Sequence, residues 1–203
     1  MANTKLNGKR IAILATDGVE EAELTKPRDA LREAGAQAVV VSPKDNEIKA
    51  WQHDQWGSKI PVDLPLSRAR ADEFDGLMLP GGVISPDRLR QDEQAVRFVK
   101  AFFEAGKPVA AICHAAWLLV EADVVRGRTV TSWPSLRTDI RNAGGDWVDR
   151  DVVTDEGLVT SRKPDDIPAF NSKMIEEFAE GVHGGQRAKA TASKRQQDIR
   201  SQM

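Results

Sequence analysis

The segment GKPVAAICHAAWLLV, residues 106–120, decides the fold of this chain. Its apolar run 108–112 is typical of a buried strand, and Ala115 and Ala116 begin a helix directly after Cys113 and His114. The sulfur of Cys113 is therefore predicted on a tight elbow at a helix N-terminus. Unpaired backbone N–H groups and the helix dipole favour a thiolate there, so we expect a lowered thiol pKa. In a parallel sheet this elbow also lies at the carboxyl end of a strand, where open α/β folds bind ligands.

On both sides of this segment, short apolar runs alternate with helical patterns, which is typical of parallel strands joined by helical crossovers. Earlier strands are predicted at residues 10–15, 38–42 and 75–79, and shorter, later ones at 129–131, 147–154 and 158–161. Helices are predicted at about 20–34, 94–105, 114–121, 135–143 and 164–180, and residues 43–67 as a loop and hairpin. Pro27 predicts a kink or a restart within the first helix. The fold class is α/β, a three-layer sandwich around a flavodoxin-like, mostly parallel sheet.

The composition predicts one ordinary domain with a polar end. The chain has 203 residues, and its 29 basic and 31 acidic side chains give a net charge of −2, which argues against a nucleic-acid-binding surface. The apolar stretch 108–120 is too short to span a membrane, and residues 1–10 lack a signal-peptide core, so a cytoplasmic location is expected. Residues 1–183 are predicted as the domain and 184–203 as a polar C-terminal tail.

The single cysteine is either a core thiol, a metal ligand or a reactive group. Free cysteine is often only a buried space-filling residue, so its context alone leaves catalysis open. A metal role is disfavoured because His53, His114 and His183 are dispersed along the chain and no Cys/His pair has zinc-finger spacing.

Several ordered motifs resemble one known family. They are VEEAEL (19–24), LPGG (79–82) followed by Pro86-Asp87, AICHAAWLL (111–119), VVRGRTVTSWPSL (124–136), NAGGDWVD (142–149) and VTSRKPDDIPAF (159–170). Over residues 10–179 the chain resembles the DJ-1/PfpI superfamily, specifically the PfpI-like intracellular protease and general stress protein branch. The resemblance implies the DJ-1/PfpI fold, which is shared with the class I glutamine amidotransferases.

The same resemblance implies a catalytic set. Cys113 resembles the family nucleophile, and Glu20 in VEEAEL occupies the place of its carboxyl partner, which would have to be protonated to donate a hydrogen bond to the sulfur. His114 resembles the branch's general acid/base, oriented by an acidic residue from a neighbouring subunit. That acidic residue maps to Asp87, where the family more often has glutamate, and a homodimer or higher homo-oligomer is implied.

The resemblance also implies the residues that bind the substrate. Gly81 and Gly82 resemble the oxyanion-binding turn. Ala115 stands where glycine commonly follows Cys-His, and Trp133 where tyrosine is frequent, so both are expected to shape the pocket. Trp51 and Trp56 are candidates for an aromatic rim, with ordinary packing as the alternative.

The leading interpretation is a stress-related enzyme that acts on small reactive carbonyls, as a glyoxalase or deglycase, without a metal or organic cofactor. Alternatives are a cysteine peptidase using the same residues and a non-enzymatic peroxide sensor or redox-regulated chaperone. A glutamine amidotransferase is disfavoured because no His-x-Glu follows Cys113, and a dinucleotide-binding protein because no G-x-G-x-x-G motif occurs.

Overall fold

The computed structural model describes residues 5–189. Its strands are β1 (Arg10–Leu14), β2 (Gln37–Ser42), β3 (Glu47–Gln52), β4 (Gln55–Pro61), β5 (Leu64–Pro65), β6 (Gly76–Leu79), β7 (Val109–Ile112), β8 (Thr129–Val130), β9 (Asp146–Trp147), β10 (Val152–Asp155) and β11 (Leu158–Ser161). Its α-helices are α1 (Glu21–Glu33), α2 (Ile84–Arg90), α3 (Glu93–Glu104), α4 (Ala116–Glu121), α5 (Arg137–Asn142) and α6 (Ile167–Glu180).

Seven strands form the central sheet, in the order β10-β11-β7-β6-β1-β2-β5. All neighbouring strands are parallel except the edge pair β10–β11, which is joined by a tight turn. The predicted α/β class with a mostly parallel sheet is therefore confirmed. Strand β1 lies between β2 and β6, so the chain leaves β1 toward one edge of the sheet and later returns to its other side.

Two apolar cores cover the two faces of the sheet. Because side chains alternate along a strand, Leu14 and Leu79 contribute to one core, whereas Ile13 and Ile112 contribute to the other. Helices α3 and α4 pack on the first face, and helices α1 and α6 pack on the second. This arrangement is the predicted three-layer sandwich, and the double burial explains why the strands are apolar runs instead of alternating patterns.

Outside the sheet, β3 and β4 form an antiparallel hairpin within the stretch predicted as a loop and hairpin. Helix α1 continues through Pro27, so it does not restart there. No helix within residues 5–189 is long and apolar enough to cross a membrane.

The end of the described chain differs from the predicted tail. Residues 184–189 are helical, and Gln186 is completely buried, with its side-chain amide donating to the carbonyl of Lys107. Lys189 pairs with Asp155 at 2.6 Å. The packed domain therefore extends beyond the predicted boundary at residue 183. The rest of the predicted tail, residues 190–203, lies outside the described residues.

Candidate active site

Three parallel strands end at the site and supply its main groups. Cys113 follows β7, Gly81 and Gly82 follow β6, and the loop after β1 leads to Glu20 and the first turn of α1. Because β1, β6 and β7 are neighbours, residues distant in sequence meet at one edge of the sheet. This is the position predicted for the ligand site.

Cys113 occupies a backbone conformation that is unfavourable for a residue with a side chain. Its φ is +64°, in the left-handed region, between the extended Ile112 and a 3₁₀ turn over Cys113–Ala115. The thiol is free and the residue is 6% exposed. A strained elbow that aims a side chain into a cleft is a frequent feature of active sites.

The carboxyl group next to the sulfur belongs to Glu23, so the prediction that Glu20 is the hydrogen-bonding partner is wrong. Glu23 is fully buried in the first turn of α1, and its carboxyl group lies next to the Cys113 sulfur. Glu20 immediately precedes the helix, is half-buried and lines the outer cavity. Glu20 lies before the helix with an extended backbone, whereas Glu23 lies within its first turn, so the two carboxyl groups reach different parts of the site.

The environment of Glu23 favours its neutral form. Burial, reinforced by the negative charge of Glu20, raises the Glu23 pKa to about 8, although hydrogen bonds from Cys113, Gly81 and Gly82 oppose the rise. Among residues 5–189, no partner completes a hydrogen bond of good geometry to the Glu23 Oε1 atom. A protonated Glu23 is therefore expected near neutral pH, where it can donate its proton toward the sulfur.

The thiol pKa moves in the direction opposite to that predicted. Burial raises the pKa of Cys113, and an ionised Glu23 raises it further, whereas the backbone N–H groups of Gly82 and His114 lower it. The helix-start effect is therefore present but smaller than desolvation. A thiolate at this position requires Glu23 to be neutral, so the two groups titrate as a pair.

The two glycines predicted as an oxyanion turn have different roles. The N–H of Gly81 donates to Glu23 Oε2 at 3.0 Å and is not free for a substrate oxygen. The N–H of Gly82 points toward the sulfur, as does that of His114. A Cβ atom on Gly81 would lie 2.5 Å from Glu23 Oε2 and 2.7 Å from Cys113 Cβ, so the carboxyl–thiol contact requires glycine there.

His114 is positioned by the sulfur and two tryptophans. Its Nδ1 lies 3.2 Å from Cys113 Sγ, its ring stacks on Trp133 with centroids 5.8 Å apart, and Trp117 meets it edge-on at 5.1 Å. Burial lowers the His114 pKa to about 4, so the imidazole is neutral at pH 7. A neutral ring can exchange a proton with the thiol, and Trp133 lines the cavity beside it.

The remaining predicted residues lie outside this contact network. Asp87 lies on α2, is exposed and interacts with the side-chain amide of Gln91 at 3.3 Å, so within one chain it does not orient His114. Ala115 is 1% exposed and packs into the core beneath the elbow, so it does not line the cavity.

The site opens into a cavity of about 710 Å³. Its lining includes Cys113, His114 and Trp133, together with Trp51 and His53 of the β3–β4 hairpin. Trp56 packs edge-on against Trp51 at 5.3 Å and does not line the cavity. The sequence did not single out Glu23 or Trp117, although Glu23 lies in the quoted VEEAEL motif and Trp117 is one turn after Cys113.

The chain is similar to known proteins over most of its length. The DJ-1/PfpI family model matches residues 9–177. The chain is 43% identical to General stress protein 18 of Bacillus subtilis, over 83% of this chain and 96% of that protein. It is 42% identical to Protein/nucleic acid deglycase 2 of Escherichia coli, over 82% and 96%, respectively.

A solved structure of a two-domain protein from Anabaena variabilis, with DJ-1/ThiJ/PfpI-like and ferritin-like domains, matches with a TM-score of 0.80 and 32% identity. The match covers 91% of this chain and 54% of that chain.

Proposed function

The chain belongs to the DJ-1/PfpI family, and from this premise we propose that it is a stress-related, cysteine-dependent enzyme acting on reactive carbonyl compounds. The observation that carries the proposal is the contact of one sulfur with two proton-transfer groups at the base of an open cavity. Cys113 Sγ lies 3.2 Å from His114 Nδ1 and next to the buried Glu23 carboxyl group. Relatives named as a general stress protein and as a deglycase support this class of activity.

The chemistry follows from these contacts. The Cys113 sulfur attacks the aldehyde carbon of methylglyoxal, its thiol proton passes to His114, and the aldehyde oxygen is protonated to give a hemithioacetal. Transfer of the C1 hydrogen as a proton to C2, through His114, converts the hemithioacetal to a lactate thioester. Water then cleaves the C–S bond, which releases lactate and restores the thiol. Glu23 donates its proton toward the sulfur whenever the sulfur is negatively charged.

The size of the cavity favours substrates larger than methylglyoxal. Pockets of roughly 300–1,000 Å³ accommodate drug-sized molecules, and the 710 Å³ cavity lies in that range. We therefore favour early glycation adducts, in which the carbonyl carbon is attached to an amino or thiol group of a larger molecule. The same space supports peptide hydrolysis by Cys113 and His114 as the second candidate function.

A substrate panel distinguishes these activities. Purified wild type is assayed with methylglyoxal, with a methylglyoxal-treated amino acid and with a fluorogenic peptide, beside Cys113→Ala. We expect release of hydroxy acid from one of the carbonyl substrates, lost in the variant. Peptide cleavage alone would favour the peptidase, and rapid Cys113 oxidation without turnover would favour the peroxide sensor. Carbonyl turnover retained by Cys113→Ala would refute the proposed enzyme.

We also propose that the protein acts as a homo-oligomer, with Asp87 of one subunit approaching His114 of another. Asp87 is exposed, and the cavity mouth carries two exposed apolar side chains, Val83 (53%) and Trp133 (38%). Mixing Asp87→Ala and Cys113→Ala subunits under conditions that exchange chains should restore part of the activity. Failure to do so, with exchange demonstrated, would refute the shared site. A cytoplasmic location is proposed as well, because the one cysteine is a free thiol.

A further inference from the structure

A second group of ligating side chains lies at the end of α6. Glu177 and Glu180 are on the last turns of this helix, and His183 follows the turn at Gly181. Their ligand atoms all lie within 4.8 Å of one another. These residues lie outside the cavity that contains Cys113.

The chain holds His183 in place from two sides. Gly181 ends α6 with φ +88°, which turns the chain back toward the sheet. The backbone N–H of His183 then donates to the carbonyl of Gly106 at 2.8 Å. Its imidazole packs so closely on Gly157 that a Cβ there would lie 2.6 Å from the ring. These contacts restrict the positions that the imidazole can take.

Glu177 and His183 form a close pair at the buried end of this group. Glu177 is 7% exposed, and no described residue donates a hydrogen bond of good geometry to its carboxylate. His183 Nε2 is buried and likewise makes no such bond within the described chain. It faces Glu177 Oε2 at 3.3 Å, longer than the usual hydrogen bond of about 2.9 Å. A carboxylate oxygen and an imidazole nitrogen this close in a buried place require a proton or a cation between them.

The 3.3 Å separation fits a metal ion. Zinc bonds of about 2.0–2.1 Å to nitrogen and oxygen, arranged tetrahedrally, place neighbouring ligand atoms about 3.3 Å apart. Glu177 and His183 therefore already have the spacing of one tetrahedral edge. Glu180 is exposed and can approach through a change of rotamer. One imidazole and two carboxylates suit a borderline divalent cation such as Zn²⁺ better than Ca²⁺, which prefers oxygen ligands alone.

We propose that Glu177, Glu180 and His183 bind one Zn²⁺ ion, with water as the fourth ligand. The bound ion would link the turn after α6 to the last turns of that helix, at a place outside the Cys113 cavity. The site stands independently of the proposed enzymatic function because none of its residues contacts Cys113 or the cavity.

Calorimetric titration with Zn²⁺ tests the proposal on the full chain without an affinity tag, after chelator treatment. The experiment uses a Cys113→Ser background to remove the competing thiol. We expect one equivalent to bind, with at least tenfold weaker binding in Glu180→Gln and in His183→Asn. Glu176→Gln is the matched control because Glu176 is also exposed on α6 and pairs with Lys173. It should bind as the background does.

Thermal unfolding gives a second measurement. At a hundredfold excess of Zn²⁺ over its Kd, the melting temperature should rise by about 5–10 °C. Glu180→Gln should show a smaller rise while melting normally without metal, since its side chain is exposed. No binding up to 100 μM Zn²⁺, or equal affinity in the background, Glu180→Gln and His183→Asn, would overturn the proposal. The 3.3 Å contact would then be an ordinary Glu177–His183 ion pair.

Discussion

The buried carboxyl group of Glu23 should make the stability of the protein fall as the pH rises, and Glu23→Gln should remove that fall. The pKa of Glu23 is raised from 4.5 to about 8 in the folded chain. Below pH 4.5 the folded and unfolded states both carry the proton. Between pH 4.5 and pH 8 the unfolded chain releases this proton while the folded chain retains it, so the free energy of unfolding falls with each pH unit. Glutamine is neutral at every pH and has a similar shape.

The expected magnitude follows from proton linkage. One proton corresponds to about 1.4 kcal/mol per pH unit, which gives a loss of about 3.5 kcal/mol between pH 5 and pH 8. The range stops at pH 8, so that ionisation of the thiol contributes little. The opposite contribution of His114, whose pKa is lowered, cancels when wild type and variant are compared.

Urea unfolding under reducing conditions, followed at several pH values, measures this difference. The wild-type free energy of unfolding should fall relative to that of Glu23→Gln as the pH rises from 5 to 8. Glu20→Gln is the control, because Glu20 is half-buried in the same motif and does not contact the sulfur. Its curve should lie between those of wild type and Glu23→Gln, because burial also raises the Glu20 pKa and the Glu20 charge raises the pKa of Glu23. Parallel curves for wild type and Glu23→Gln would show that Glu23 is ionised at neutral pH and refute the protonated-donor assignment.

Three further predictions concern the sulfur and its neighbours. Mild peroxide should convert Cys113 to a sulfinic acid, which mass spectrometry detects. The yield of this product should be much lower in Glu23→Leu but unchanged in Glu20→Leu, and equal yields in the two variants would contradict the Glu23 contact. Trp133→Ala should expose His114 and raise its pKa from about 4 toward 6.5. The low-pH part of the pH profile for Cys113 alkylation should then move to higher pH. An unchanged profile would show that burial by Trp133 is not what lowers the His114 pKa. Gly81→Ala should lower turnover of the substrate that wild type accepts at least tenfold, because the new Cβ would separate Glu23 from Cys113. Full activity of this variant would contradict the tight packing around Gly81.

The sequence by itself determined the layers of the fold and the location of the site. Apolar runs separated by helical patterns specify a parallel sheet covered on both faces, because only doubly buried strands lack alternation. The small residues after Cys113 specify a strand-to-helix elbow, since the sulfur and the following helix start are adjacent in sequence. Local neighbours of this kind can be inferred without knowledge of the packing.

Only the tertiary structure decided which groups meet the sulfur and whether it is charged. VEEAEL offers three carboxyl groups within four residues, and the packing of α1 on the sheet buries Glu23 beside the sulfur and leaves Glu20 half-buried before the helix. Desolvation depends on all atoms around a group, so the raised pKa of Cys113 could not be inferred from its helix-start position. Glu177 and His183 likewise meet because Gly181 turns the chain and Gly106 and Gly157 hold it, contacts that join segments far apart in sequence.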